Sequence, residues 1–182
     1  DILHIDIEFT GVVYNTSGNK EIDQEKLAIK IQDQLNKVFT YSNRKDGYRI
    51  QMKSSIKVAK SVNDIEKDDN LFLVVDKAKK NSNAIAASSK TGAIKLSTQL
   101  VDDILSNKNT RTVAHEVGHY AGLEDANLSD EVPVNEKSYN LMTQIVALPK
   151  GMNINKAIRI ETKQLAEIIK IYNQRQKDKH IK

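Results

Sequence analysis

Hydrophobic and polar residues alternate at period two from Leu3 to Phe9, and apolar residues return at Val12, Val13 and Tyr14. That rhythm predicts a first strand with one buried face. In residues 23–39, Leu27, Ile29, Ile31, Leu35 and Val38 fall mostly at helical spacings among Lys, Gln and Asp, which predicts an amphipathic helix. Residues 43–47 break it. Residues 48–53 and 56–58 read as a second strand, and the unbroken apolar run at 71–75 as a central strand covered on both faces. Residues 84–88 and 93–97 flank the turn-prone Lys90, Thr91 and Gly92 and predict a β-hairpin. A helix is expected over 110–121, with Asn109 or Thr110 as N-cap and Gly122 in the left-handed position that ends it. Residues 125–154 carry both prolines, Pro133 and Pro149, and read mostly as loop. Leu165, Ile168, Ile169 and Tyr172 then form an i, i+3, i+4, i+7 stripe for a closing helix over 161–176.

Strand, helix, strand, strand is an α/β beginning, and the hairpin adds an antiparallel edge to a mainly parallel sheet. At 182 residues the chain fits one domain, whole or split by a cleft into two lobes. Its 39% hydrophobic and 29% charged residues are ordinary for a soluble globular protein, and no apolar run approaches the ~18 residues of a membrane span.

The net charge of +4 comes from 28 basic and 24 acidic residues spread along the chain. The one local excess, at 174–182, reads as a solvated terminus, and no base-stacking or groove-reading motif accompanies it. No nucleic-acid partner is expected. The absence of cysteine excludes disulfides, thiolate zinc knuckles and cysteine nucleophiles, so any metal must be held by His, Asp or Glu. With neither an initiator Met nor a signal peptide, the chain reads as a trimmed or processed mature form.

The stretch HEVGHYAGLED, residues 115–125, carries the candidate chemistry. On a helix His115 and His119 lie one turn apart on one face, so two imidazoles can converge on one ion. Glu116 is rotated about 100° from His115, beside such an ion rather than on it, which suits a general base acting on water. HExxH alone can arise by chance. Gly122 makes coincidence much less plausible, because a helix that turns sharply there can bring Asp125 back under the same ion, and zinc accepts an oxygen ligand.

This stretch resembles the metzincin clan of zinc endopeptidases, whose extended motif is HExxHxxGxxH followed by a methionine-bearing turn. Asp125 stands at the third ligand position, where His is commonest, a variant similar to the snapalysin pattern. Residues 139–143 resemble the Met-turn, with Met142 beneath the metal. Gln144 stands where astacin-like members carry a tyrosine, so that tyrosine's role has no counterpart here.

The resemblance implies a single catalytic domain over 1–182. An upper lobe, 1–122, would hold a twisted mixed sheet with an antiparallel edge strand and two helices including the zinc helix. A smaller lower lobe, 123–182, would hold the Met-turn and the C-terminal helix. It further implies a zinc metallopeptidase with one catalytic Zn2+ on His115, His119 and Asp125, and Glu116 as general base. The substrate would be a protein or peptide, laid as an added strand along Ala84, Ile85, Ala86, Ala87 and Ser88. The loop 144–155 would wall the pocket just past the scissile bond, with Val146, Leu148 and Met152 making it apolar. A monomer is expected, secreted, periplasmic or at the cell surface.

Two other readings compete. In a thermolysin-like peptidase the third ligand is a later glutamate, and Asn135, Glu136, Lys137 and Ser138 superficially match its N-E-x-x-S pattern. That leaves Gly122 and Asp125 unexplained. A non-catalytic metal-containing binding protein is the other, and Glu116 argues against it because a structural site needs no base there. His4 and His180 read as surface or terminal residues.

Overall fold

The computed structural model describes residues 2–43, 47–88, 93–130 and 132–180. The chain forms a mixed α/β fold on a six-stranded sheet. Its strands are β1 (Leu3–Asn15), β2 (Tyr41–Asn43), β3 (Tyr48–Ala59), β4 (Asn70–Val75), β5 (Ala86–Ala87) and β6 (Ile94–Ser97). Their order is β2-β3-β1-β4-β6-β5, with β1, β3, β4 and β6 parallel and the two edges, β2 and β5, antiparallel. The hairpin's antiparallel edge strand is therefore present, though shorter than the expected 84–88. The turn expected at Lys90, Thr91 and Gly92 lies outside the described residues.

The period-two pattern fixes which face of the sheet is inside. In β1 the odd positions pair across to the even positions of β3, Ile5 with Ile50 and Ile7 with Met52. Ile50 and Met52 are buried there, while Asp6 and Glu8 are exposed on the other face. β3 is one strand rather than two pieces, in unbroken register with β1. Ser54 could have interrupted it, being polar on the core face. Helix α1 (Gln24–Val38) satisfies it instead: the Ser54 hydroxyl donates to Gln32 O at 3.0 Å and lies 2.7 Å from Asn36 Oδ1.

Strand β4 is central as expected, but only Phe72 and Val74 are buried, while Leu71, Leu73 and Val75 stay half-exposed. The helices explain it. α1, α2 (Thr98–Leu105) and α3 (Thr112–Tyr120) pack into one core with Phe72 and Val74, leaving β4's other face thinly covered. Helix α2 is not among the elements that the hydrophobic pattern predicts. Its signals were short: the Ser97 hydroxyl caps it by accepting from Leu100 N at 3.1 Å, and Leu100, Val101 and Ile104 are its buried face. The closing helix, α4, runs Thr162–His180. The described residues of 125–154 are mostly turns, with short 3-10 segments at Lys137–Tyr139 and Ile145–Ala147, and a third follows at Ile154–Lys156. Among the described residues, no helix is long and apolar enough to cross a membrane.

Candidate metal centre

α3 packs against α1 and the sheet through Val113, Ala114 and Val117, so the motif is built into the core. Its start is held by Asn109, whose Oδ1 accepts the backbone N–H groups of Arg111 (3.1 Å) and Thr112 (2.9 Å). Its end is the left-handed turn anticipated at Gly122, where φ is +97° and a Cβ would overlap Ile171 of α4. Gly122 N–H bonds His119 O at 2.9 Å and Leu123 N–H bonds Gly118 O at 3.0 Å, which reverses the chain and carries Asp125 back toward the helix.

The structure brings His115, His119 and Asp125 together, with one ligand atom of each within 4.8 Å of the others. Asp125 Oδ1 lies 3.2 Å from His119 Nε2 and 3.6 Å from His115 Nε2. Each imidazole turns its other nitrogen to a backbone carbonyl: His115 Nδ1 to Leu141 O at 2.8 Å and His119 Nδ1 to Leu123 O at 2.9 Å. A carbonyl only accepts, so Nδ1 carries the proton and Nε2 presents a lone pair. Asp125 Oδ1 is buried and, among the described residues, accepts no hydrogen bond. Two lone pairs and a bare carboxylate oxygen thus face one point, an arrangement that repels itself unless a cation stands there. Two nitrogens and one oxygen, with no sulfur, fit zinc with a further position left open.

Burial pulls the His115 pKa down to about 4, with His119 and Arg111 adding to the effect against the Leu141 bond and Asp125. The metal-free protein then loses stability as pH falls from about 6.5 toward about 4, because the unfolded chain takes up a proton that the folded imidazole refuses. The loss is on the order of 3 kcal/mol. Urea unfolding of chelator-treated protein at pH 7.5 and pH 4 measures it, and an unchanged pH slope in His115→Gln counts against this source.

Glu116 lines the same cleft, which encloses about 410 Å³ between the sheet edge at Ile85, Ala86 and Ala87 and the wall at Gln144, Ile145 and Val146. Burial raises its pKa, helped by Asp125, while Ser88, His119 and Lys79 oppose the rise. Of the proposed substrate strand, Ile85, Ala86, Ala87 and Ser88 line the cleft and Ala84 does not. Leu148 and Met152 are absent from its wall. Glu136, the thermolysin-like ligand candidate, pairs with Arg159 at 3.1 Å and stands outside both the cleft and the converging group.

Met142 is fully buried and its sulfur sits against Gly118, where a Cβ would overlap it. Three further residues support this arrangement: Arg111 and Asn127, which the sequence does not single out, and Gln144, which it places beside Met142 without a role. Arg111 is buried to 1% exposure and its guanidinium donates to Ala157 O (2.6 Å), Leu141 O (2.5 Å) and Thr143 O, tying α3 to the turn that holds Met142. Gln144 and Asn127 bond to each other beside Asp125. Nothing local reveals these bonds, since each joins residues distant in the chain.

No protein-family model matches the sequence, and no curated protein does. Among solved structures the chain is similar to a zinc-dependent peptidase from Methanocorpusculum labreanum (strain Z), at 11% identity and a TM-score of 0.46, over 87% of this chain and 100% of that one.

Proposed function

We propose that the chain is a zinc-dependent endopeptidase of metzincin type, with residues 1–122 above the cleft and 123–182 below it. The observation that carries this reading is the bare Asp125 Oδ1 facing two Nε2 lone pairs, with the half-buried Glu116 carboxylate lining the same cleft. His115, His119 and Asp125 would hold the zinc, which when bound polarises a carbonyl and acidifies water. Glu116 accepts the proton of the attacking water and hands it to the leaving amine, a task that its raised pKa suits. Strand β5 is a sheet edge on the cleft, so an extended peptide can add there as the next strand and lie across Glu116. Ile145 and Val146, both exposed on the opposite wall, offer an apolar surface to a substrate side chain.

The test is digestion of an unbiased peptide library alongside measurement of bound zinc. Internal cleavage that stops with chelator and returns with Zn2+ is expected, and His119→Ala should lose metal and cleavage together. A wild type that takes up no zinc at micromolar concentration sinks the reading.

A further inference from the structure

Asp125 has two carboxylate oxygens, and the fold treats them differently. Oδ1 is buried and bare, whereas Oδ2 accepts from Gln144 Nε2 at 2.8 Å. A side-chain amide can present either its NH2 or its oxygen, so something must decide which end of Gln144 faces Asp125. The deciding group is a backbone donor. Gln144 N–H bonds Asn127 Oδ1 at 3.1 Å, and since that N–H can only donate, the Asn127 amide is locked with its oxygen there. Its NH2 is then turned to Gln144 Oε1, to which Asn127 Nδ2 donates at 3.1 Å. With Oε1 occupied, Nε2 is the end left for Asp125.

We propose that Gln144 and Asn127 are positioning residues for the metal centre: a chain of bonds with one permitted polarity grips Asp125 Oδ2 and aims Oδ1 alone at the two imidazoles. The inference rests on the metal-site reading above and extends it to residues that do not ligate. Gln144 is in the motif's shadow, two residues past Met142, and Asn127 two residues past Asp125.

The polarity makes a sharp test. In Asn127→Asp the side chain still accepts from Gln144 N–H but cannot donate to Oε1. Gln144 then gains by turning its NH2 to residue 127, which sets its oxygen against Asp125 Oδ2. In Gln144→Met the grip is simply removed at similar volume. Both variants, as full chains, are titrated with Co2+ under chelator competition, reading affinity and the visible absorption of the bound ion. Circular dichroism melts of the metal-free forms check the fold.

Affinity is expected to fall about 10–100-fold in each variant, the usual cost of losing a group that orients a ligand. The cobalt spectrum should change as well, which a merely structural loss elsewhere would not produce. Folded variants that bind Co2+ with wild-type affinity and spectrum overturn the positioning role while leaving the metal site intact. A wild type that binds no Co2+ overturns the site itself and the role with it.

Discussion

Replacing Glu116 with glutamine is expected to lower kcat/KM for peptide cleavage by roughly 10²–10⁴-fold, the range for losing a positioned general base. Glutamine keeps the size of the side chain and lines the cleft as before, but it cannot take up a proton. Because Glu116 is not in the converging His115, His119 and Asp125 group, zinc content should be unchanged. The loss should sit in kcat, since the proton moves in the transition state and not on binding. Steady-state kinetics paired with metal analysis decides it. Full activity in Glu116→Gln would remove the base from the mechanism. Loss of zinc with activity would mean that the glutamate is a ligand instead.

Arg111→Met is expected to produce the largest loss of stability. The guanidinium is buried, and burial lowers its pKa to about 10, with Asp125 opposing the fall, so it remains charged at neutral pH. It satisfies the carbonyls of Leu141, Thr143 and Ala157, and methionine fills much of the space while leaving all three without that donor. Thr143 O and Ala157 O are left unmet, at about 1–3 kcal/mol each, while Leu141 O keeps its bond from His115, so a total loss on the order of 3 kcal/mol is expected. For a domain of this size that lowers Tm by roughly 6–12 °C. Arg111→Lys should not restore it, because a point charge on a flexible stem cannot fork to several carbonyls. Leu141 O also anchors His115 Nδ1, so zinc affinity should drop alongside. Urea unfolding of the chelator-treated variants measures the first effect and chelator competition the second. An unfolding midpoint equal to wild type would show that the carbonyls find other partners.

Much of the fold was legible because its signals are local. The alternation in residues 3–14 set both the existence and the inner face of β1, and the stripe through Leu27, Ile31 and Leu35 set the buried face of α1. Where local signals were short, they failed. α2 is only eight residues, Thr98–Leu105, and offers barely two turns of periodicity. The apolar run at 71–75 implied two covered faces, but burial depends on where helices go, and they went to one side.

The candidate metal centre divides in the same way. Spacing by itself determined that His115 and His119 share a helix face and that Gly122 ends the helix with room for Asp125 to return, because helical geometry relates residues three to seven positions apart. The inward nitrogen of His119 is also set close by, by Leu123 O four residues on, whereas tertiary structure alone decided which nitrogen of His115 faces inward and which oxygen of Asp125 stays bare. Those choices belong to Leu141, 26 residues from His115, and to Gln144, 19 residues from Asp125. A hydrogen bond between groups so far apart leaves no period in the sequence, since its geometry exists only once the core has packed.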